Sequence, residues 1–315
     1  MGNRLRCRVM GLALSVLAVL SLPVGAYVRD YGRMVVEKQS LYASIFVYER
    51  GSIRTLMFGQ GMMTPVQSQV DLKAPRRHLL EYSELAFCGL FYQPQPKRLL
   101  VLGLGGGVIP REMRYYFPEM EIDVAEIDPE IPPIATKYMG FETDDKLKVH
   151  VEDGRVFIKK RLRHNPPQPK YDMVILDAFN GDYIPFHLMT REFLEEVKGV
   201  LADDGVVVAN VFSSNRLFDA EFRTFVEVFG RAQAYFGEES TNVMLAAPGP
   251  AGPLLSMRDA MEKARAVRQD RKITFNLVEV AQRLAPKAEP EADAMVLTDD
   301  RAPVNWLREQ ESGTR

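Results

Sequence analysis

The chain has 315 residues, of which 46% are hydrophobic and 26% charged, so it is globular and long enough to bury one large core or two modest ones. Forty basic and 42 acidic residues give a formal net charge of −2, and no basic block stands out beyond the first residues, so we expect no nucleic-acid partner. Two cysteines and four scattered histidines provide neither a disulfide framework nor metal-ligand spacing, so we also expect no metal centre.

The first 26 residues have the pattern of a targeting segment. Three arginines precede an apolar run at residues 9–22, and a proline and small residues up to Ala26 follow. This order suits a secretory signal, since a membrane span needs ~20 apolar residues. We therefore expect residues 1–26 to be a signal peptide or a membrane anchor, and the only part of the chain that contacts a membrane. The protein is then exported or anchored, and an uncleaved anchor leaves it on the cytoplasmic side.

Residues 27–96 are predicted to form a small N-terminal β domain followed by a helix. Segments at 34–38, 42–49 and 53–58 are rich in β-branched and aromatic residues and roughly alternate in polarity. They predict a small antiparallel sheet. Apolar residues at helical spacing predict a helix over residues 75–92, which the following segment QPQP ends.

Residues 97–250 alternate between apolar strands and helices. The predicted strands lie near 98–103, 121–127, 147–151, 171–177 and 205–211. The predicted helices between them lie near 110–117, 131–139, 154–163 and 190–201. This alternation predicts an α/β fold with a Rossmann-like, doubly wound, mostly parallel sheet and right-handed crossovers. Residues 251–315 are predicted to add two C-terminal helices, at 255–268 and 274–284, and a tail.

A glycine-rich turn follows the first strand of this sheet. Gly103, Gly105, Gly106 and Gly107 lie between a strand and a helix, where missing side chains let the backbone approach a ligand and direct amide donors at it. The third glycine of the dinucleotide-binding pattern G-x-G-x-x-G is missing. The alternative is that these glycines serve only tight packing of the strand against the helix.

Acidic residues end the next three strands. Glu126 lies about 20 residues after the glycines, where a carboxylate can accept both hydroxyls of a ribose at ~1.5–3 kcal/mol for each charged hydrogen bond. Asp153 can meet an adenine amino group, or cap the helix that begins at Gly154, or do both. Asp177 either faces the reacting end of a ligand bound over the sheet or forms a turn.

The chain resembles the spermidine synthase (polyamine aminopropyltransferase) family. The resemblance is carried by VLGLGGGVIPRE, VAEIDPE, VEDGRVF and YDMVILDAFNGDY, and upstream by Gln67 and Tyr82-Ser83-Glu84. It covers about residues 34–250 and is strongest to the branch often found fused to membrane transporter domains. It implies a sheet of the class I methyltransferase-like form, preceded by a small antiparallel β domain, and a homodimer.

The resemblance also implies an activity and a set of site residues. The family binds decarboxylated S-adenosylmethionine as co-substrate and moves its aminopropyl group to an amine acceptor in polyamine biosynthesis, without a metal. The positions implied to bind the adenosyl ligand are Gln67, Gly103, Gly105, Gly107, Glu126, Asp153 and Gly154. Asp177 is implied to be the catalytic acid that attracts the ammonium group and accepts or relays its proton. The positions implied to contact the amine are Tyr82, Asn180 and Asp182.

Three positions depart from the family's pattern. Gly106 stands where the glycine loop usually carries an aspartate, Asn180 where the DSSDP loop carries its second acid, and Ser83 where a histidine is usual. The P-T-Y-P segment of the family has no counterpart. A diamine is a dication that carboxylates bind and select, so the loss of two acids weakens the case for putrescine more than the case for an adenosyl ligand. Asp182 is a candidate replacement.

Three other functions stay open. A methyltransferase that uses S-adenosylmethionine would use the same glycines, Glu126 and Asp153, and fold analogy does not separate the two reactions. A catalytically inactive protein that binds a nucleoside or a polyamine is consistent with the leader, because adenosyl cofactors are made in the cytosol. A nicotinamide-dependent oxidoreductase is disfavoured by the incomplete glycine fingerprint.

Two residues outside these motifs receive a structural interpretation. His187 could face the ligand pocket, but a hydrogen-bonded histidine beside a loop is the preferred interpretation. Cys88, on an apolar helix face, is interpreted as a packing residue. The segment TDDRAP near the C terminus resembles the family's closing segment and is assigned no chemistry.

Overall fold

The computed structural model describes residues 31–59, 66–179, 185–214 and 216–309. The predicted targeting segment, Asn180 and Asp182 lie outside these ranges. Among the residues that the structure describes, no helix is both long enough and apolar enough to cross a membrane.

Strands and helices make up most of the described residues. The strands are β1 (Arg33–Gln39), β2 (Ser44–Arg50), β3 (Ile53–Phe58), β4 (Val66–Asp71), β5 (Arg98–Leu102), β6 (Glu121–Glu126), β7 (Leu147–Val151), β8 (Tyr171–Leu176), β9 (Leu201–Phe212), β10 (Gln233–Phe236), β11 (Asn242–Pro248) and β12 (Leu284–Ala285). The helices are α1 (Glu81–Leu85), α2 (Val108–Tyr116), α3 (Ile131–Tyr138), α4 (Gly154–Arg163), α5 (Arg191–Val200), α6 (Leu217–Phe229), α7 (Met257–Arg271), α8 (Leu277–Gln282) and α9 (Val304–Glu309). Short 3-10 helices span Ala86–Phe91 and Phe186–Leu188.

The small antiparallel sheet predicted near the N terminus is confirmed, and it has one strand more than predicted. Its strands pair in the order β1-β2-β3-β4. Gly51, at φ +62°, makes the turn between β2 and β3. The sequence did not predict β4, because VQSQVD is mostly polar, although its Ser68 and Val70 are buried.

The helix predicted for residues 75–92 is wrong in its beginning and in its type. Residues 75–80 form turns and bends, α1 begins at Glu81, and a 3-10 helix follows it. Every residue of that 3-10 helix is buried. The apolar spacing of this segment therefore reflects burial on all sides rather than one face of a continuous α-helix.

The large sheet confirms the predicted α/β fold. Its strand order is β12-β10-β11-β9-β8-β5-β6-β7. The five strands from β9 to β7 run parallel, and β11, β10 and β12 extend the sheet in antiparallel pairing. The chain proceeds from β5 to β6 and β7 on one side and then returns to β8 and β9 on the other. The topological switch point therefore lies between β5 and β8, where sheets of this kind bind ligands at the carboxyl ends of their strands.

Buried side chains cover both faces of the large sheet. In β5, Leu99 and Val101 belong to one cluster and Leu100 and Leu102 to the other, as the alternation of a strand requires. The first cluster also contains residues of the small sheet, so this sheet packs on that face. Cys88 is fully buried in the same cluster, which confirms its interpretation as a packing residue.

The C-terminal segment binds back to helices of the large sheet. Asp299 accepts hydrogen bonds at 2.8 Å from both terminal nitrogens of Arg155, at the start of α4, and one at 2.7 Å from the hydroxyl of Thr190. Arg155 is nine-tenths buried and also donates to Glu196 of α5. TDDRAP thus ties α4 to α5. The division of the chain at residues 27–96, 97–250 and 251–315 stays a prediction.

Candidate active site

A cavity of about 300 Å³ opens at the carboxyl ends of β5, β6, β7 and β8. Binding pockets for small molecules start at about this size. The small sheet and the 3-10 helix at Phe186–Leu188 supply part of its wall. The lining residues named in the sequence prediction are Gln67, Tyr82, Gly103, Gly105, Glu126, Asp153, Gly154 and Asp177. The strand ends therefore bring the predicted acids into one shared cavity.

Gly103 lies where the ends of β5 and β8 touch. Its φ is +95°, and a Cβ atom built there would lie 2.3 Å from the backbone carbonyl oxygen of Asp177. Both facts exclude a side chain at this position. Gly107 is not among the residues that line the cavity; its Cβ atom would lie 2.4 Å from the ring of Phe141. Gly107 thus permits the tight entry into α2, and its predicted ligand contact stays a prediction.

Glu126 braces the glycine turn from the end of β6. Its Oε2 accepts a hydrogen bond from the amide of Leu104 at 2.8 Å, and its Oε1 accepts one from the amide of Asp128 at 2.9 Å. Burial raises the pKa of Glu126, and these backbone hydrogen bonds oppose that rise. Each carboxylate oxygen can accept a second hydrogen bond. Glu126 can therefore hold the turn and still receive ligand hydroxyls from the cavity that it lines.

Asp153 caps a helix and lines the cavity at the same time. Its Oδ1 accepts from the amide of Val156, which makes it the N-cap of α4. Its Oδ2 lies 2.9 Å from Nε2 of His187, and the hydrogen bond from His187 lowers the pKa of Asp153. The capping interpretation is confirmed. His187 is hydrogen-bonded, as its preferred interpretation requires, and it also lines the cavity, which was the alternative.

Asp177 is the acid nearest the switch point. Its carboxyl group opens to the cavity but is otherwise enclosed by protein, and this burial raises its pKa to about 7. Oδ1 accepts a hydrogen bond from Nδ2 of Asn210 at 2.9 Å, which opposes the rise. A carboxyl group with this pKa exchanges a proton readily near neutral pH.

The small sheet supplies a second set of polar contacts. Tyr82 donates a hydrogen bond to the backbone oxygen of Gln67 at 2.9 Å, and its hydroxyl lies 3.3 Å from Oγ of Ser68. Burial, and secondarily the charge of Asp177, raise the pKa of Tyr82, so its hydroxyl stays protonated. Ser68 also accepts from the amide of Gly106 at 3.0 Å.

Ser68 explains why the family's glycine-loop aspartate has no place here. A Cβ atom on Gly106 would lie 2.7 Å from Cβ of Ser68 and 3.0 Å from Cε of Met139. Contacts this short require the neighbours to shift, and Ser68 is only 2% exposed. The departure at position 106 is therefore built into the packing of the small sheet against the glycine turn.

Sequence reasoning missed several residues that line the cavity. Asn210 is an amide inside the apolar run of β9, and a buried polar side chain of that kind signals a hydrogen-bond partner. Asn242 gave no such signal in the sequence. Aromatic rings also line the cavity, at Tyr42, Phe58, Phe179 and Phe212. Asn180 and Asp182 lie beyond the described ranges, and their roles stay predictions.

The described ranges place no group of three or more histidine, cysteine, aspartate or glutamate side chains where they could hold a metal ion. The cavity instead combines acids at strand ends with aromatic and aliphatic walls. Carboxylates that accept hydroxyl and amino hydrogens, together with apolar walls for a flat base, are suited to a nucleoside. The fold and this site define a Rossmann-like protein whose cavity is suited to a ligand that carries a nucleoside.

Comparison with known proteins gives the family. Residues 79–235 match the spermine/spermidine synthase domain. The chain is 34% identical over 285 residues to the polyamine aminopropyltransferase of Vibrio vulnificus, an alignment that covers 87% of this chain and 91% of that protein. The chain therefore belongs to the spermidine synthase family.

Solved structures carry the same fold. A probable spermidine synthase from Corynebacterium glutamicum superposes with a TM-score of 0.64 at 18% identity, covering 85% of this chain and 98% of that one. Human methyltransferase-like protein 13 in complex with SAH superposes with a TM-score of 0.57 at 27% identity, covering 61% of this chain and 93% of that one. The fold is thus shared by aminopropyltransferases and methyltransferases.

Proposed function

We propose that the protein transfers the aminopropyl group of decarboxylated S-adenosylmethionine to an amine acceptor, a reaction of polyamine biosynthesis. Family membership supports the reaction class. The observation that carries the proposal is the convergence of Glu126, Asp153 and Asp177 on one cavity at the switch point of the sheet. A sulfonium ligand supplies an activated carbon next to a good leaving group; the protein must supply the rest.

The adenosine half of the ligand is assigned to one end of the cavity. Glu126 is the acceptor for ribose hydroxyls, and Asp153 is the acceptor for the adenine amino group. Both carboxylates are fixed by hydrogen bonds to backbone amides, so binding does not have to order them. Ile127, Ile131 and Leu188 add apolar wall to the same cavity.

Asp177 is assigned the proton chemistry. A primary amine attacks only when neutral, and with a pKa of ~10.4 that state costs roughly 4.6 kcal/mol at pH 7. The Asp177 carboxylate attracts the ammonium group and then accepts or relays its proton, a contribution of about 10²–10⁴-fold to the rate. Its pKa of about 7 leaves roughly half of it ionised at neutral pH. Tyr82 remains a hydroxyl beside it and helps to align the amine.

A methyltransferase is the second candidate. The similarity to human methyltransferase-like protein 13 in complex with SAH supports it, because the adenosyl end of the cavity suits either ligand. The two reactions differ in their products. Aminopropyl transfer releases methylthioadenosine and lengthens the amine, whereas methyl transfer releases S-adenosylhomocysteine.

Mass spectrometry of the products tests the proposal. The full chain is incubated with either decarboxylated or intact S-adenosylmethionine and a panel of mono-, di- and triamines. We expect methylthioadenosine and an aminopropylated amine from the decarboxylated ligand alone. S-adenosylhomocysteine and a methylated product from the intact ligand would establish the methyltransferase. Binding of the decarboxylated ligand with no product from any amine would establish a binding protein.

Targeting and assembly belong to the proposal as well. Residues 1–26 are proposed to carry the protein to or across a membrane, and the chain is proposed to form a homodimer. β1 lies at one edge of the small sheet, and an edge strand can pair with a strand of a second copy. Fractionation of cells that produce the full chain tests the first point. Light scattering of the purified protein tests the second, and a monomer mass would contradict it.

A further inference from the structure

We infer that Asn210 and Asn242 form an amide chain that positions Asp177, so that one oxygen of the carboxylate is held and the other faces the amine. This inference rests on the proposed function, since it assigns a role in proton transfer to both residues. Asn210 contacts Asp177 directly, and Asn242 acts on Asp177 through Asn210. Asn210 and Asn242 are positioning residues here, and Asp177 remains the catalytic residue.

The hydrogen bonds form one directed chain. Nδ2 of Asn242 donates to Oδ1 of Asn210 at 2.9 Å, and Nδ2 of Asn210 donates to Oδ1 of Asp177 at 2.9 Å. An ionised carboxylate only accepts, so it fixes the direction of both amides. With Asn210 on Oδ1, the oxygen left for a ligand is Oδ2. All three residues line the cavity.

The two asparagines of this amide chain lie on neighbouring strands of the large sheet, where its antiparallel extension begins. Asn210 is 3% exposed on β9, and Asn242 opens the neighbouring strand β11. The backbone oxygen of Asn242 accepts from the amide of Gly237 at 2.8 Å. Its backbone amide donates to Oγ of Ser240, which donates in turn to Glu81 of α1. These backbone contacts fix the start of β11, and rotation of either side-chain amide would break one of the two hydrogen bonds that join it to its neighbour.

Neutral donors suit this position for a physical reason. A carboxylate in a low-dielectric site needs a hydrogen-bond donor to remain ionised. An arginine or lysine would provide a donor, but its positive charge would repel the cationic amine. The same charge would lower the pKa of Asp177 far below 7. Asparagine stabilises the carboxylate without adding a cation. Tyr82 is the titratable group of α1 that feels the charge of Asp177, and its protonated hydroxyl adds no charge of its own.

The test compares isosteric variants through their pH profiles. Asn210→Leu removes the donor at similar volume, so we expect the acid limb of kcat/KM to move up by about one to two pH units. Asn242→Leu leaves the Asn210 donor in place but frees its amide group to rotate. We therefore expect the acid limb of kcat/KM to move in the same direction by a smaller amount. Asn305→Leu makes the same change on an exposed residue of α9 and should leave the profile unchanged.

Titration of Asp177 itself separates this inference from the proposed function. Carbon-13 NMR of labelled aspartate carboxyls, with Asp177→Asn to assign the signal, follows the pKa of Asp177 without any turnover. If Asn210→Leu raises that pKa in a protein that makes no aminopropylated product, the amide chain stands and the proposed function fails. If both variants unfold as the wild type does and lose rate equally at every pH, with the Asp177 titration unmoved, the inference is overturned.

Discussion

Replacing Glu126 by glutamine separates the two tasks assigned to this carboxylate. Its two oxygens accept from the amides of Leu104 and Asp128 at 2.8 and 2.9 Å, and it is 7% exposed. The substitution Glu126→Gln puts an NH₂ group in place of one of these oxygens, where it faces another N–H donor. One buried backbone amide then loses its acceptor, which costs about 1–3 kcal/mol of unfolding free energy.

The same change weakens ligand binding by a separate amount. A ribose hydroxyl that donated to a carboxylate loses a charged hydrogen bond worth about 1.5–3 kcal/mol, so the dissociation constant should rise by about 10- to 150-fold. Urea denaturation measures the loss of stability, and isothermal titration with decarboxylated S-adenosylmethionine measures the loss of affinity. Glu142→Gln, the same substitution on an exposed residue, is the control for both. Wild-type affinity in Glu126→Gln would refute the assignment of this residue to the ribose.

Gly103→Ala should lower the unfolding free energy by about 1–3 kcal/mol more than Gly230→Ala. Both glycines have positive φ, but of the two only Gly103 has a close neighbour for the new Cβ atom, the carbonyl oxygen of Asp177. Equal losses in urea denaturation would contradict the close contact of β5 and β8. Gly106→Asp, which restores the family's residue, should lower the unfolding free energy by about 1–3 kcal/mol through its contact with Ser68. The double variant Gly106→Asp, Ser68→Gly should recover part of that loss. If Gly106→Asp is neutral by thermal denaturation, the packing explanation fails. Transfer by the wild type should fall about tenfold in kcat/KM from pH 8 to pH 6, because protonation of Asp177, at a pKa of about 7, removes the proton acceptor. A flat profile over this range would exclude that role.

The strand ends of the site could be predicted from the sequence because parallel sheets are regular. Glu126 ends β6, and Asp153 and Asp177 closely follow β7 and β8; parallel strands of a doubly wound sheet end at one edge. No knowledge of side-chain packing is needed for this step. The helix after Asp153 was equally accessible, since an aspartate before a helical segment is a common N-cap.

The rest of the site depends on contacts between distant segments. Asn242 reaches the cavity only because β11 pairs with β9, and His187 because a loop returns over Asp153. Neither pairing has a local sequence signal. The helix predicted over residues 75–92 failed for a related reason: its apolar spacing resulted from complete burial of the 3-10 helix between the large sheet and helices α7 and α8.

The rate of methylthioadenosine formation by Asp177→Asn tests the central claim most directly. With decarboxylated S-adenosylmethionine and the best amine both saturating, we predict a fall of about 10²–10⁴-fold from the wild-type rate. Affinity for the adenosyl ligand should stay within a few-fold, because Glu126 and Asp153 remain in place. A variant that transfers at the wild-type rate would show that the carboxylate beside Asn210 takes no part in the chemistry.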